Sequence, residues 1–364
     1  MVITDVSVQS YRAPLARPIR NGKYVYTHTD PAVVKVTTDE GLVGVGLSDG
    51  AGLAGGAELV DAIVKSLRPL ILGEDPLDVE RLWASMWVPK LVGRRGFTTR
   101  VISAVDIALW DLRGKILSVP VYKLLGGYRA RVPAYMAGGY YEEGKGLREL
   151  ASEMEGYLEH GARAVKMKIG GVPMPEDIER VRVVRDAIGP NAKLMVDANN
   201  AYRPYEAAAI ARKIEQFDIF WFEEPVMPDD YRGHALVAEA TSIPVATGEN
   251  EYTRYGFRDI IEHRAAAILT PDAQILGGVT EFMKVAAFAQ AYDIPVAPHG
   301  NQLFHVHLTC AVPNGLIVEY YRLDPLWELM FEELELVDGE VSPPDRPGFG
   351  IELDEEALAP YRVS

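Results

Sequence analysis

Cysteine is almost missing from this sequence: Cys310 is the only one among 364 residues. No intrachain disulfide can form, and a single thiol fits a reducing compartment, so the chain is expected to be cytoplasmic. Long hydrophobic runs are missing too. No stretch reaches the roughly 18 apolar residues of a membrane span. The opening MVITDVSVQSYRAPL alternates apolar and polar residues, where a signal peptide would place a basic region before an apolar run. Positive charge is scarce: 37 Lys and Arg against 52 Asp and Glu leave a formal net charge of -15. A surface that acidic repels phosphate backbones and argues against nucleic acid as a partner. It does not exclude an anionic small molecule, because a metal and a few lysines can reverse the field inside a pocket.

What is present is length and apolar material. Apolar residues make up 48% and charged residues 24%, enough for a large core and more than one small domain. Residues 1–50 read as strands, with VVKVTT and LVGVGLS flanking the turn signal Asp39-Glu40-Gly41. From about Leu53 to Ile116 the spacing is helical, broken by Gly73 and Pro76. After Pro133 short apolar segments recur, each ending in a polar residue and most followed by a helical stretch. They are 132–138, 164–170, 194–200, 220–225, 244–249, 267–272, 294–300 and 315–321. Repeated βα units at this spacing predict an α/β fold with a parallel barrel. An open doubly wound sheet is the alternative. The barrel is preferred because chemically capable residues end nearly every strand, and only a barrel converges those ends on one mouth. The segment 331–364 adds no further βα unit and is expected to return to the N-terminal unit. The expected domains are therefore a capping unit over 1–125, a barrel over 126–330 and the returning segment 331–364.

Asp197, Glu223 and Glu249 end the third, fourth and fifth of these segments, 26 residues apart in both intervals. Three carboxylates on adjacent strand ends repel one another unless a cation sits among them, and hard oxygen donors favour Mg²⁺. Any one of these acids alone is better read as a solvated loop residue; three in register are not. Glu223 and Glu224 are neighbours, and alternation with Trp221 turns Glu223 inward, leaving Glu224 to bind a neighbouring loop. Asn199 shares the face of Asp197 and is expected to touch substrate or a metal-bound water.

Lys166 and Lys168 lie two apart in the second strand, so both ammonium groups should enter the mouth. Their proximity and burial are expected to lower a lysine pKa toward that of a working base. Asp272 ends strand six and His299 ends strand seven, the arrangement in which a carboxylate fixes an imidazole tautomer. Glu319 ends strand eight and could donate a hydrogen bond to a substrate carboxylate if its own pKa is raised. His305 and His307 sit in a helical pattern and read as packing residues, Cys310 as buried, and Gly277-Gly278 as a tight approach.

Taken together these residues resemble the enolase superfamily, specifically its mandelate racemase group. That group carries the Lys-x-Lys pair (Lys166, Lys168), the Asp/Glu/Glu ligand set (Asp197, Glu223, Glu249), the Asp/His dyad (Asp272, His299) and the Glu of strand eight (Glu319). SAVDIALWDLRGK, PVYKLLGG and RPGFGIEL extend the resemblance over nearly the whole chain. Muconate cycloisomerase-like members place a lysine at the end of strand six, where this chain has Thr270-Pro271-Asp272. The resemblance implies a modified (β/α)7β TIM-like barrel under an N-terminal α+β capping domain, an essential Mg²⁺ and an enediolate intermediate.

Lys168 or His299 would then remove a proton α to a carboxylate, with Lys166 and Glu319 assisting. Reprotonation from the other face gives racemisation; loss of the β-hydroxyl gives dehydration. The loop ARPIRNGKYVYTHTD (16–30) offers Arg20, Lys23, Tyr24, Tyr26 and His28, and Tyr140 follows strand one. Lys23, Tyr26, His28 and Tyr140 are the expected contacts of a polyhydroxylated acid. The favoured reading is an acid-sugar dehydratase giving a 2-keto-3-deoxy acid. A racemase or epimerase of a 2-hydroxy acid comes second and a cycloisomerase of a sugar lactone third. A silent sugar-acid-binding barrel is a reading of another class, and a binder has no need of opposed bases. The expected partner is a small-molecule carboxylate, with neither nucleic acid nor membrane, and the chain is expected to form a homo-oligomer.

Overall fold

In the computed structural model, residues 1–49, 56–87, 95–322 and 325–363 are described. The N-terminal unit starts with β1 (Ile3–Ser10), β2 (Ala13–Arg20), β3 (Val25–Thr29), β4 (Pro31–Thr38) and β5 (Val43–Asp49). Strands β1, β4 and β5 form one antiparallel sheet, with the β4–β5 hairpin turning at Asp39-Glu40-Gly41 as its sequence predicts. Helices α1 (Gly56–Leu67), α2 (Val79–Met86) and α3 (Phe97–Leu117) follow. Helix α3 lies directly on β5, and the glycines of VGVG make that approach possible. A Cβ on Gly46 would stand 1.9 Å from the carbonyl oxygen of Ala104, and one on Gly44 would stand 2.0 Å from that of Ala108.

Strands β2 and β3 stand apart as a two-stranded sheet. The stretch 16–30, read from sequence as a loop, is therefore mostly a hairpin. Asn21 closes its turn: Oδ1 accepts from the backbone N–H of Lys23 at 2.8 Å and of Tyr24 at 2.7 Å.

A short helix α4 (Val121–Leu124) leads to the barrel strands. These are β6 (Val132–Gly138), β7 (Ala164–Lys168), β8 (Lys193–Asp197), β9 (Ile219–Glu223), β10 (Val245–Thr247), β11 (Ile268–Leu269) and β12 (Val318–Tyr320). Neighbours from β6 to β11 pair in parallel, and β12 pairs in parallel with β6. The seventh expected strand, IPVAPHG, is reduced to one residue. Val296 bridges Leu269 on one side and Gly315 on the other, which closes the ring. Pro295 and Pro298 flank it and have no N–H to give to a ladder. Helices α5 (Leu147–Glu159), α6 (Met174–Ile188), α7 (Pro204–Ile214), α8 (Tyr231–Ala240), α9 (Thr253–Glu262), α10 (Gly278–Gln290) and α11 (Gln302–Ala311) follow the first seven strand positions. The fold is thus the modified (β/α)7β barrel with a capping unit.

The final segment divides its contacts. Strand β13 (Glu340–Val341) pairs antiparallel with β6 and stays on the barrel. Beyond it, Phe349 N–H donates to Asp111 Oδ1 of α3 at 2.9 Å, and Val363 N–H donates to the Ser10 carbonyl of β1 at 2.9 Å. No helix among the described residues is long and apolar enough to cross a membrane.

Candidate active site at the barrel mouth

Alternation along each strand separates an apolar layer from a polar one. Met195, Trp221, Ala297 and Ile317 belong to one buried apolar cluster. Two residues further along lie Asp197, Glu223, His299 and Glu319, at the mouth. The parallel register sets the level: Lys168 pairs with Asp197, and Asp197 pairs with Glu223.

Carboxylate oxygens of Asp197, Glu223 and Glu249 lie within 4.8 Å of one another, all three residues buried. Glu223 Oε1 and Glu249 Oε2 are buried with no hydrogen-bond partner among the described residues, as is Asn199 Oδ1. Buried acceptors left bare are expensive. Two of them in a cluster of hard oxygen donors fit a divalent cation.

The lysines are wholly buried in this acidic ring. Lys166 Nζ lies 2.9 Å from Glu223 Oε2, 2.9 Å from Glu319 Oε1 and 3.8 Å from Asp197 Oδ2. Lys168 Nζ lies 2.6 Å from Asp197 Oδ2. Burial works against both charges, but Glu223 and Glu319 hold Lys166 well above the usual lysine range, and Asp197 does the same for Lys168. The expectation of lowered lysine pKa values is therefore reversed here. Apart from Glu319, their nearest acidic neighbours are carboxylates of the triad, and a divalent cation bound there would take up that charge.

Across the mouth, His299 Nδ1 lies 3.1 Å from Asp272 Oδ2, which turns Nε2 toward Glu249 Oε2 at 3.7 Å and Glu319 Oε2 at 3.9 Å. Burial opposes its charge, yet Glu249 and Glu319, with Asp272, hold the imidazole well above its usual range. Glu319 departs from expectation. Despite burial, Lys166, His299 and Lys168 hold its carboxyl well below the usual range, and it accepts from Gly300 N–H at 2.7 Å and Tyr321 OH at 2.8 Å. In this site it acts as a hydrogen-bond acceptor.

Two family models match the chain: the mandelate racemase / muconate lactonizing enzyme N-terminal domain over residues 3–126, and the enolase C-terminal domain-like model over residues 149–357. The chain belongs to the mandelate racemase group of the enolase superfamily. It is 38% identical to the arabinonate dehydratase of Saccharolobus solfataricus over 90% of this chain and 89% of that one. It is 36% identical to the 3,6-anhydro-alpha-L-galactonate cycloisomerase of Streptomyces coelicolor over the whole of both. A solved racemase from Streptomyces coelicolor, crystallised with bound magnesium, superposes over the full length of both chains with a TM-score of 0.93 at 35% identity. The chemistry of the superfamily is metal-assisted removal of a proton α to a carboxylate.

Over the enolase-superfamily barrel lies the β2–β3 hairpin. Arg20 and Tyr141 exchange both backbone hydrogen bonds, at 2.9 and 2.8 Å, which fastens β2 to the loop after β6. At the tip, a Cβ on Gly22 would stand 2.9 Å from Ala201 Cβ and 3.0 Å from the Ile169 carbonyl oxygen, so the turn sits directly on the loops after β7 and β8. Tyr26 OH accepts from Asn21 Nδ2 at 3.0 Å. Burial raises the Tyr26 phenol, and the next influences on it are Lys168, Tyr140, Glu249 and Asp197, which places it at the mouth. Tyr140 stands edge-on to Tyr26 at 6.4 Å, and its ring centroid is 5.2 Å from Lys168 Nζ. Lys23 reaches Met227 Sδ at 3.0 Å, on the loop after β9. His28 pairs with Pro14 at the far end of the hairpin, and its Nδ1 lies 2.8 Å from Thr27 Oγ1.

Some site contacts escaped the sequence reading. Trp221 Nε1 donates to Glu223 Oε2 at 2.9 Å, Tyr135 OH lies 3.2 Å from Lys166 Nζ, and Tyr321 bonds Glu319. Each lies on an inward face that alternation marks. Asn200 and Asn250, which bond Glu224, carried no such signal.

Proposed function

We propose that the protein is a Mg²⁺-dependent hydro-lyase that removes water from an acid sugar to give a 2-keto-3-deoxy acid. The observation that carries this reading is the placement of two proton-transfer groups against one carboxylate triad: Lys168 reaches Asp197, while His299 reaches Glu249 from the other side. Asp197, Glu223 and Glu249 would hold the cation, which when bound supplies positive charge to the substrate carboxylate and its α-oxygen as the proton leaves.

The chain's own groups do the rest. Lys166, fully buried, supplies a fixed positive charge beside the triad and opposes the charge that develops on the carboxylate. Lys168 or His299, according to the α-configuration, takes the C2 proton. For an α-proton on the Lys168 face, His299 then delivers a proton to the departing C3 oxygen, so hydroxide leaves as water. The electron pair of the C2–H bond becomes the enol double bond, the C3–O bond breaks, and protonation at C3 completes the keto acid. Asp272 holds the Nδ1 side of His299 throughout. Glu319 lies 2.9 Å from Lys166 and 3.9 Å from His299 and positions both. The Tyr26 and Tyr140 hydroxyls supply polar contacts for the remainder of the sugar chain. Support comes from the arabinonate dehydratase likeness. The end-to-end likeness to a cycloisomerase favours a second reading, in which the departing oxygen stays tethered within the molecule. Incubation with Mg²⁺ and a panel of mono- and diacid sugars and their cyclic forms, assayed for 2-keto-3-deoxy acid, tests the reading. A panel that yields only α-epimers would replace it with a racemase.

A further inference from the structure

Glu224 follows a triad carboxylate but belongs neither to the triad nor to the solvent face. Its side chain is fully buried. Oε2 accepts from Asn200 Nδ2 at 2.8 Å and from Asn250 Nδ2 at 3.0 Å, and Oε1 also lies 3.0 Å from Asn250 Nδ2. Asn200 lies in the loop after β8 and Asn250 in the loop after β10. One carboxylate therefore ties together the ends of β8, β9 and β10, whose ends carry Asp197, Glu223 and Glu249. Asn250 Nδ2 also lies 3.4 Å from Glu249 Oε1. Backbone bonds run along the same seam: Asn200 N–H to the Glu224 carbonyl at 2.8 Å, and Glu224 N–H to the Ala246 carbonyl at 2.9 Å.

The backbone is bent to make this join. Asn199, Asn200 and Glu224 have φ of 42°, 64° and 40°. Side-chain-bearing residues seldom adopt that region, and they stay there only where surrounding bonds over-determine them. A buried carboxylate is also a poor space filler. It stands beside three others, and like charges in low dielectric repel. Burial, with Glu249, Asp197 and Glu223 beside it, pushes its carboxyl well above the usual range, so a side chain kept here at that cost needs a use for its two hydrogen-bonded oxygens.

We infer that Glu224 is a positioning residue for a divalent cation: it locks the three ligand-bearing loops together. The inference rests on the reading that Asp197, Glu223 and Glu249 hold that cation. Hydrogen-bond partners of metal ligands set ligand orientation, and removing one weakens metal binding by about 10–100-fold.

The test is equilibrium binding of Mn²⁺ to the chelator-stripped full chain, read from the electron paramagnetic resonance of free Mn²⁺, so no substrate is needed. Wild type should bind at one site, and Glu224→Gln should bind about 10–100-fold more weakly. The double variant Glu224→Gln, Asn250→Asp reverses donor and acceptor across the join and restores the net charge. Its affinity should return to within a few-fold of wild type, a rescue that mere loss of packing would not give. Asn250→Ala removes bonds but keeps the Glu224 side chain, and should bind about 10-fold more weakly; it serves where Glu224→Gln fails to fold. Unchanged affinity in Glu224→Gln or in Asn250→Ala, or a loss that the double variant does not recover, overturns the positioning role and leaves the triad reading intact. A folded wild type that takes up no Mn²⁺ overturns both.

Discussion

Lys168 and His299 differ in one respect that decides how each variant behaves. Lys168 is bound to the triad through Asp197 alone, whereas His299 is also held by Asp272. For a substrate with its α-proton on the Lys168 face, Lys168→Ala should abolish exchange of that proton with D₂O and lower kcat by about 10²–10⁴. His299→Asn should still exchange the proton while failing to expel the β-oxygen. With the opposite configuration the two roles reverse. Exchange followed by nuclear magnetic resonance distinguishes them, and two variants that both exchange at the wild-type rate would remove the opposed-base assignment.

At the scale of elements, the hairpin and the α3–α10 junction each carry a test. Gly22→Val should lift the β2–β3 tip from Ala201 and Ile169 and disturb Tyr26. The expected result is a kcat/KM about 10–100-fold lower, mostly through KM, with a small change in Tm, because remote binding contacts position the substrate. His28→Ala should leave kcat/KM near wild type. Asp106 of α3 accepts from Thr280 N–H and Oγ1 at 2.9 and 2.7 Å, at the N-terminus of α10. Burial pushes its carboxyl up to about 7, against the two Thr280 bonds and Lys284, with Glu281 adding to the rise. The folded chain then keeps this proton while the unfolded chain, near 3.9, has lost it. Stability is full below about pH 4, falls as pH rises toward 7 and is level above, a difference of about 4 kcal/mol. Asp106→Asn should flatten the Tm profile between pH 5 and 7; parallel profiles for the two proteins would contradict the shift. These elements also show what a sequence can carry. The triad was legible because each acid ends an apolar strand at a fixed interval, and alternation chose Glu223 over Glu224. The seventh strand was not, since its apolar pattern hides two prolines that cannot join a ladder. The hairpin was read as a loop because Pro14, Pro18, Asn21 and Gly22 interrupt its strand pattern. The lysine and Glu319 pKa directions depend on neighbours from other strands, which no local pattern contains.

For the whole molecule, the β2–β3 hairpin of the capping unit sits on the loops at the barrel mouth, and the C-terminal residues tie back to α3 and β1. The account stands on cation-dependent proton removal at that mouth. The direct measurement is loss of the α-proton of acid sugars in D₂O, followed by nuclear magnetic resonance, with Mg²⁺ present, after exhaustive chelation, and after Mg²⁺ is returned. The account predicts rapid α-proton loss from at least one acid sugar, abolished by chelation and restored by Mg²⁺. Exchange at an undiminished rate after chelation, or no exchange with any acid sugar in the presence of Mg²⁺, would contradict it.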